Sequence, residues 1–336
     1  MQKDRDNTID QAFKNNKVSG LLEIGHQPEH IESLISHLYL YPQTVYKIYK
    51  RNNQDFNQKF VNLADDKLRK KFIRQDFFWN NYFNKEVYQR LFGFNVTDGT
   101  VEIVTDPELA EDLVIQMSRI NAQHNLTSVL KQGQLKKDDL RTIGYKMTKQ
   151  IAEFPQQPDQ NFDYFVNFMQ RLHDLREWGY LAAPHIYKEN IDQSINSLIA
   201  FTEKRKQKFI PITNQAPVIS IDSHSDNVVY KNNQLQFIDV MLPKEAWQAS
   251  EPIHNIARLS LDILIWLGQK EADTFIQGYK DYYKISKIEE DVLLFHQLYS
   301  ALVKAPYIFM LPADKEDRTK EANQYKKFIL ENYQRL

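Results

Sequence analysis

Apolar and polar residues alternate from Ile31 to Arg51, IESLISHLYLYPQTVYKIYKR, on either side of Tyr41–Pro42–Gln43. A period of two around a proline-containing break predicts two antiparallel strands joined by a turn. Residues 57–92 carry Lys, Phe, Tyr and Asn without strong breakers and predict helix. Val101–Val104 and Val114–Met117 predict short strands around an acidic turn containing Pro107. The first 20 residues are polar, with room for a short helix, and read as a peripheral extension.

After Met117 the period changes. Leu135, Leu140, Ile143, Met147 and Ile151 recur at helical spacing, as do Phe165, Phe168 and Leu172, with Pro155 and Pro158 between the runs. Residues 189–209 predict a helix ending in the basic run Lys204–Lys208. The stretches 252–268, 270–284 and 288–304 continue helically to a charged C-terminal helix. Three β-prone runs, Val218–Ile221, Val228–Tyr230 and Leu235–Ile238, interrupt this helical half and flank polar residues. The order predicts an α+β protein of two lobes. Residues 1–117 form the extension plus a small β-rich lobe, and 118–336 form a larger, mainly helical lobe carrying one functional hairpin.

Composition narrows the classes without choosing among them. The chain has 336 residues, 42% hydrophobic and 26% charged, as expected of a soluble globular protein with a sizeable core. A net charge of −1 implies no general attraction to nucleic acid or anionic membrane. The absence of cysteine excludes disulfides, thiolate metal sites and cysteine nucleophiles together, and fits a reducing compartment. The N-terminal MQKDRDNTIDQAFKNNK lacks the apolar core of a signal peptide, and no stretch approaches the ~18 apolar residues of a membrane span, so a cytoplasmic setting is expected. There is no internal repeat, no G-x-S-x-G elbow and no G-x-x-x-x-G-K-[ST] loop.

The chemistry concentrates in SIDSHSDNVVYKNNQLQFID, Ser220 to Asp239. Asp222 is followed five residues later by Asn227 and, twelve residues after that, by Asp239. Phosphoryl transfer needs this set: a carboxylate to accept a hydroxyl proton, and oxygen ligands that hold Mg²⁺ on the phosphates. The plainer reading is an Asx-rich turn whose side chains bond their own backbone. Elsewhere, His26, His30 and His37 suggest zinc, but Pro28 interrupts a helix there and no third-ligand spacing supports it. Arg258 and Asp262, at i and i+4, read either as a surface pair or as braces for the polar segment. KLRKKFIR reads as a solvated helix face, and Phe77, Phe78, Trp79, Tyr82 and Tyr88 read as core.

The segment S-I-D-S-H-S-D-N with Ile238–Asp239 resembles the H-G-D-x-H-x-x-N and I-D motifs of the aminoglycoside phosphotransferase-like branch of the protein-kinase-like fold. Ser220 and Ile221 depart from its first two positions. The resemblance implies a two-lobed kinase fold with Asp222 as catalytic base, Asn227 and Asp239 as metal ligands and His224 as a brace. VYKIYK resembles the nucleotide-lysine strand, which implies Lys47 on phosphate. It places Asp76, in RQDFFWNN, as the acidic partner of Lys47, and Ser33–Ser36, in ESLIS, where a glycine-rich phosphate loop would lie. EDLVIQM resembles the strand entering the hinge, where the backbone near Gln116–Ser118, around Met117, meets adenine. IARLSLDI and LYSALVKA resemble C-terminal helices of an uncharacterised bacterial group often fused to a P-loop ATPase domain. Val-Met-Leu-Pro after Asp239, in place of D-F-G, resembles small-molecule kinases more than protein kinases.

The resemblance thus implies an ATP- and Mg²⁺-dependent transfer of the γ-phosphate to a hydroxyl of an aminoglycoside, sugar or other metabolite. The alternative is a kinase-like nucleotide-binding protein or scaffold with little turnover. Neither reading involves nucleic acid or membrane, and the oligomeric state is open.

Overall fold

A computed structural model of the chain describes residues 2–20, 23, 25–120, 125–136, 139–158, 163–206, 216–231, 234–309 and 316–336. The fold is α+β and protein-kinase-like, with a β-rich N-terminal lobe and a larger helical C-terminal one. Residues divide into a first unit, 1–124 with 236–244, and a second, 125–235 with 245–336. Residues 236–244, Asp239 among them, therefore belong to the first unit, although the chain before and after that segment belongs to the second.

The first unit contains α1 (Gln2–Lys14), β1 (Val18–Ser19), β2 (Glu29–Glu32), β3 (Ser36–Leu40), β4 (Thr44–Tyr49), α2 (Gln54–Lys59), α3 (Asp66–Phe83), β5 (Tyr88–Thr97), β6 (Thr100–Val104) and β7 (Asp112–Ser118). Its seven strands lie in the order β1-β6-β5-β7-β4-β3-β2. The alternation around Tyr41–Gln43 is the antiparallel β3–β4 pair, with Leu38 opposite Lys47. Strand β4 is buried on both faces, because helices cover both sides of the sheet. On one face Ile9, Ala12 and Phe13 of α1 pack with Tyr39, Tyr46 and Ile48. The polar N-terminal segment is thus a packed helix whose apolar residues recur at i, i+3 and i+4. On the other face Phe72 of α3 meets the Tyr49 ring edge-on at 5.3 Å.

Asp65 caps α3 by accepting from the Leu68 N–H at 2.9 Å. Arg69 does not lie on a solvated face. It is fully buried, and its guanidinium bonds Asp112 through Nε at 2.9 Å and Nη2 at 2.6 Å. The helix ends at Phe83, so the run 57–92 is two helices followed by the start of β5. Trp79 and Tyr88 are core residues, whereas Phe78 is exposed.

The second unit contains α4 (Leu126–Lys131), α5 (Leu140–Ala152), α6 (Tyr164–Gly179), α7 (Lys188–Lys204), β8 (Val218–Ile219) and β9 (Val228–Lys231). Beyond β10 (Gln234–Phe237), which pairs with β9, it resumes with β11 (Ala249–Ser250), α8 (Pro252–Leu267), α9 (Gln269–Tyr283), α10 (Glu290–Phe309) and α11 (Glu316–Asn332). Residues 207 and 208 of the predicted basic run lie outside the described residues. Helices α5 and α9 meet at glycine: a Cβ on Gly278 would lie 2.1 Å from the Arg141 carbonyl oxygen, and one on Gly144 2.1 Å from that of Phe275. Pro252 starts α8, where its missing N–H costs nothing, and residues 252–263 are all buried. Among the described residues, α10 is the one helix long and apolar enough to cross a membrane, and 78% of its apolar window is buried inside the protein.

Candidate functional site

In the first unit, Lys47 stands in the middle of β4 with its side chain 6% exposed. Its ammonium bonds the Asp239 carboxylate and lies 3.5 Å from Asp76 Oδ2. Tyr49, two residues on and on the same face, donates its hydroxyl to Asp76 Oδ2 at 2.8 Å. Asn80, one helical turn after Asp76, donates to Asp76 Oδ1 at 2.9 Å. The Asn80 amide oxygen accepts the Val240 N–H at 3.1 Å. Asn80 thus ties α3 to the segment carrying Asp239.

Asp239 has φ of 49°, in the left-handed region that costs a side chain energy. Tyr88 stabilises this conformation from both sides. Its oxygen accepts the Asp239 N–H at 3.0 Å, and its hydroxyl lies 3.2 Å from Asp239 Oδ1. The Asp239 side chain is 53% exposed, unlike those of Lys47 and Asp76. Burial disfavours the Lys47 charge, but Asp239 and then Asp76 more than offset it and hold the ammonium well above its usual range. Burial pushes the Asp76 carboxyl up, as expected where one ammonium serves two acids and bonds the other more closely.

In the second unit, Asp222 and Asn227 lie on the loop between β8 and β9, where Ser225–Asn227 form a 3₁₀ turn. Among residues 220–227 none has positive φ, so the loop needs no glycine. Long-range bonds shape it instead. The Asn255 amide of α8 accepts the Ile221 N–H at 2.9 Å and donates to the Ile219 carbonyl at 2.8 Å. Arg258, one turn on, forms an ion pair with Asp222 Oδ1. Asp262, a further turn on, accepts the Ser225 N–H at 2.6 Å and the Tyr325 hydroxyl from α11. Arg258 and Asp262 are therefore buried braces of the polar segment, not a surface pair. The Asn227 amide donates to the Asp222 carbonyl at 3.2 Å, which orients it across the loop.

Beneath the loop, Lys304 of α10 forms an ion pair with Asp226 and donates to His224 Nδ1 at 3.0 Å. Thr127 of α4 donates to Asp226 Oδ1 at 2.7 Å, and the Asn125 amide donates to the Asp226 carbonyl at 2.9 Å. His224 Nε2 stands 3.6 Å from Asp222 Oδ1. Burial, then the Lys304 ammonium, push the His224 ring down to about 4. Burial opposes ionisation of Asp226, but Lys304 and then His224 hold its carboxyl well below the usual carboxylate range. Lys304 itself is raised, because Asp226 and Asp262 outweigh its burial.

The structure thus groups Lys47, Asp76 and Asp239 in one unit, and Asp222, His224 and Asn227 in the other. Ser33 and Ser36 bond each other in the β2–β3 turn. The Ser33 N–H donates to the Ser36 carbonyl at 2.8 Å, and the Ser36 N–H donates to Ser33 Oγ at 2.9 Å. A phosphate there would have to displace these bonds. Met117 lies in β7 opposite Val45 and Tyr88. The next two amides, Ser118 and Arg119, donate to the Val87 and Gln43 carbonyls, each at 2.8 Å.

Several residues at these sites escape local reading. Tyr88 reads as core, yet it also bonds Asp239. Tyr49 and Asn80 fall inside VYKIYK and RQDFFWNN, whose likeness gives them no role, and Thr127 and Asn255 carry no motif. Lys304 falls inside LYSALVKA, whose likeness marks the helix but not the role of the lysine.

No family model matches the chain, and no curated protein sequence does. Among solved structures, choline kinase from Cryptosporidium parvum Iowa II is similar with a TM-score of 0.54 at 14% identity, over 99% of this chain and 96% of that one. A choline kinase from Streptococcus pneumoniae is similar with a TM-score of 0.53 at 12% identity, over 98% and 99%. Plasmodium vivax ethanolamine kinase follows with 0.51 at 9% identity, over 93% and 84%. At these identities the likeness establishes the fold.

Proposed function

We propose that this protein is an ATP- and Mg²⁺-dependent phosphotransferase that moves the γ-phosphate onto a hydroxyl of a small molecule: an aminoglycoside, a sugar, an amino alcohol or another metabolite. One observation carries the reading. A buried lysine in a central strand, matched to Asp76 and to the half-exposed Asp239, is expensive to build and has no packing purpose. Neutralising phosphate charge gives it one.

Asn227 and Asp239 supply an amide and a carboxylate, hard oxygen donors of the kind magnesium takes, and are the residues assigned to hold it. Bound magnesium would neutralise charge on the phosphates. Lys47 draws the phosphate oxygens by charge. Asp222 orients the acceptor hydroxyl and takes its proton as that oxygen bonds the γ-phosphorus and ADP leaves. The Arg258 pair holds Asp222 in one orientation, so catalysis is chiefly positioning and electrostatics. The backbone at Met117 is assigned to adenine, and Ser33 and Ser36 to phosphate once their mutual bonds open. A cytoplasmic location belongs to the same reading.

Two observations favour binding without turnover instead: the Arg258 guanidinium on Asp222, and the turn closed by Ser33 and Ser36. A thermal-shift titration with ATP plus Mg²⁺ comes first. Stabilisation lost in Asp239→Ala supports the proposal, and no shift at millimolar nucleotide overturns it in favour of a scaffold. Transfer from γ-labelled ATP to choline, ethanolamine, sugars and aminoglycosides then separates them. Asp222→Asn should lower transfer by about 100-fold. Stabilisation without transfer to any acceptor favours the non-catalytic reading.

A further inference from the structure

The β2–β3 hairpin puts His30 opposite Tyr39 and Glu32 opposite His37. His30 and Glu32 are two residues apart, so all four side chains leave the same face of the ribbon. Asp10 of α1 reaches that face, and Tyr39 donates its hydroxyl to Asp10 Oδ1 at 2.8 Å. On a helix a spacing of seven would leave the histidines about 10 Å apart, but across this hairpin it brings the rings together.

Three ligand atoms converge here. His30 Nε2 lies 3.0 Å from His37 Nδ1, and these stand 3.6 and 3.9 Å from Asp10 Oδ1. A triangle with those sides has a circumscribed radius of about 2.1 Å, the length of a zinc–imidazole bond. One ion near its centre would sit at bonding distance from all three atoms. The geometry points to a transition-metal site at Asp10, His30 and His37, suited to Zn²⁺, that pins α1 to the β2–β3 hairpin.

The surroundings fit that assignment. Both imidazoles are part-buried at this contact, and burial lowers both rings, so each remains neutral and able to ligate below the usual range. In the metal-free state one ring donates to the other. Ligation needs a lone pair on both facing nitrogens, which a shift of one proton to the far nitrogen of the same ring provides. Tyr39 on Oδ1, at 2.8 Å, holds the carboxylate as outer partners of metal ligands do, whereas Lys14 on Oδ2, at 2.7 Å, competes with the ion for its charge. Lys14 also opposes the cation, as does Lys50, which is itself paired with Glu32 at 2.7 Å. Affinity is therefore set by His30, His37 and Asp10 against the charge of Lys14. His26 stands outside the group.

The test uses the full chain without a histidine tag, stripped by chelator and titrated with Zn²⁺ alone and with Co²⁺ alone. One equivalent of saturable Zn²⁺ binding is expected, with a rise in Tm and visible Co²⁺ bands of mixed nitrogen and oxygen ligation. His30→Gln and His37→Gln should each weaken Zn²⁺ by at least about tenfold, and Lys14→Met should tighten it severalfold. No saturable binding overturns the site, and so does binding that both histidine variants leave intact. If the histidine variants fail to fold, Lys14→Met decides. Unchanged affinity there, or a Co²⁺ spectrum of oxygen ligation alone in the parent chain, overturns it. None of these readouts depends on phosphotransfer.

Discussion

Replacing Lys304 by Met asks whether the loop at 220–227 is held by charge or by shape. Met keeps most of the volume of the lysine stem, so packing changes little. What disappears is the ammonium that pairs with Asp226 and donates to His224. Breaking a buried ion pair by removing one partner costs about 3–5 kcal/mol. The Asp226 side chain is 28% exposed, so water takes up part of the orphaned charge and the lower end, about 3 kcal/mol, is expected.

His224 supplies a signature that a simple packing defect would not. In the wild type its folded value, about 4, lies below the ordinary 6.5. The fold favours the neutral ring. That contribution is complete above the unfolded value and is lost as pH falls through the folded one. Without Lys304, Asp222 and Asp226 still lie 3.6 and 3.7 Å from the ring, opposed by burial and by Arg258. The imidazolium then replaces the missing ammonium, and the folded value rises. Once it exceeds the unfolded value, the added stability is present at low pH and lost as pH rises through it. The gap between wild type and Lys304→Met should therefore be wide at about pH 8.5 and narrow at about pH 5.5. Guanidinium unfolding in a Trp79→Phe background leaves fluorescence to Trp178, Trp247 and Trp266, all in the second unit. An NMR titration reads the His224 ring directly. A gap of equal size at both pH values, with the ring unmoved, would refute the reasoning.

Two further outcomes follow from the packing and the loop. Gly278→Ala should destabilise the second unit by about 3 kcal/mol or more in the same unfolding assay, because its Cβ would meet the Arg141 carbonyl oxygen at 2.1 Å and the Tyr145 nitrogen at 2.4 Å. An effect under about 1 kcal/mol would mean that α5 and α9 separate easily. Arg258→Met should lower phosphate transfer by about tenfold or more through kcat, with KM for ATP unchanged and partial recovery in Arg258→Lys. Unaltered kcat would show that the Asp222 orientation does not depend on its guanidinium partner.

The elements were legible where the period was long and unmixed. Strands β3 and β4 and the helices after Met117 follow directly from their spacing. The N-terminal segment was not, because its polar face outnumbers Ile9, Ala12 and Phe13, and only the sheet it covers reveals their purpose. Strand β5 was hidden behind α3, since the turn at Asn84–Glu86 contains neither Gly nor Pro. At the candidate site, Asp222, Asn227 and Asp239 lie within one short stretch and can be picked out together. Their partners cannot. Tyr88 is 151 residues from Asp239, and Lys304 is 78 from Asp226. Such pairings are made by tertiary packing and leave no local pattern. The same holds for Asp10, whose place beside His30 and His37 depends on where α1 docks.

The buried charges of the second unit also say what that loop depends on. A buried ion pair is a weak stabiliser and is often worse than apolar residues of equal volume. Around residues 220–227 there are two, Arg258 with Asp222 and Lys304 with Asp226, with Asp262 buried alongside. Stability gives no reason for that concentration, whereas a fixed loop geometry does. The bonds run to Thr127 on α4, to Asn255, Arg258 and Asp262 on α8 and to Lys304 on α10, and Tyr325 on α11 holds Asp262 in turn. The loop therefore registers the positions of four helices at once, and a displacement of any one of them strands a polar or charged group. A mutation that shifts one of these helices, such as Gly278→Ala in α9, which packs on α8, should disturb Asp222 at denaturant concentrations well below those that unfold the unit. Amide exchange at Ile221 and Ser225, whose N–H groups donate to Asn255 and Asp262, would register it first.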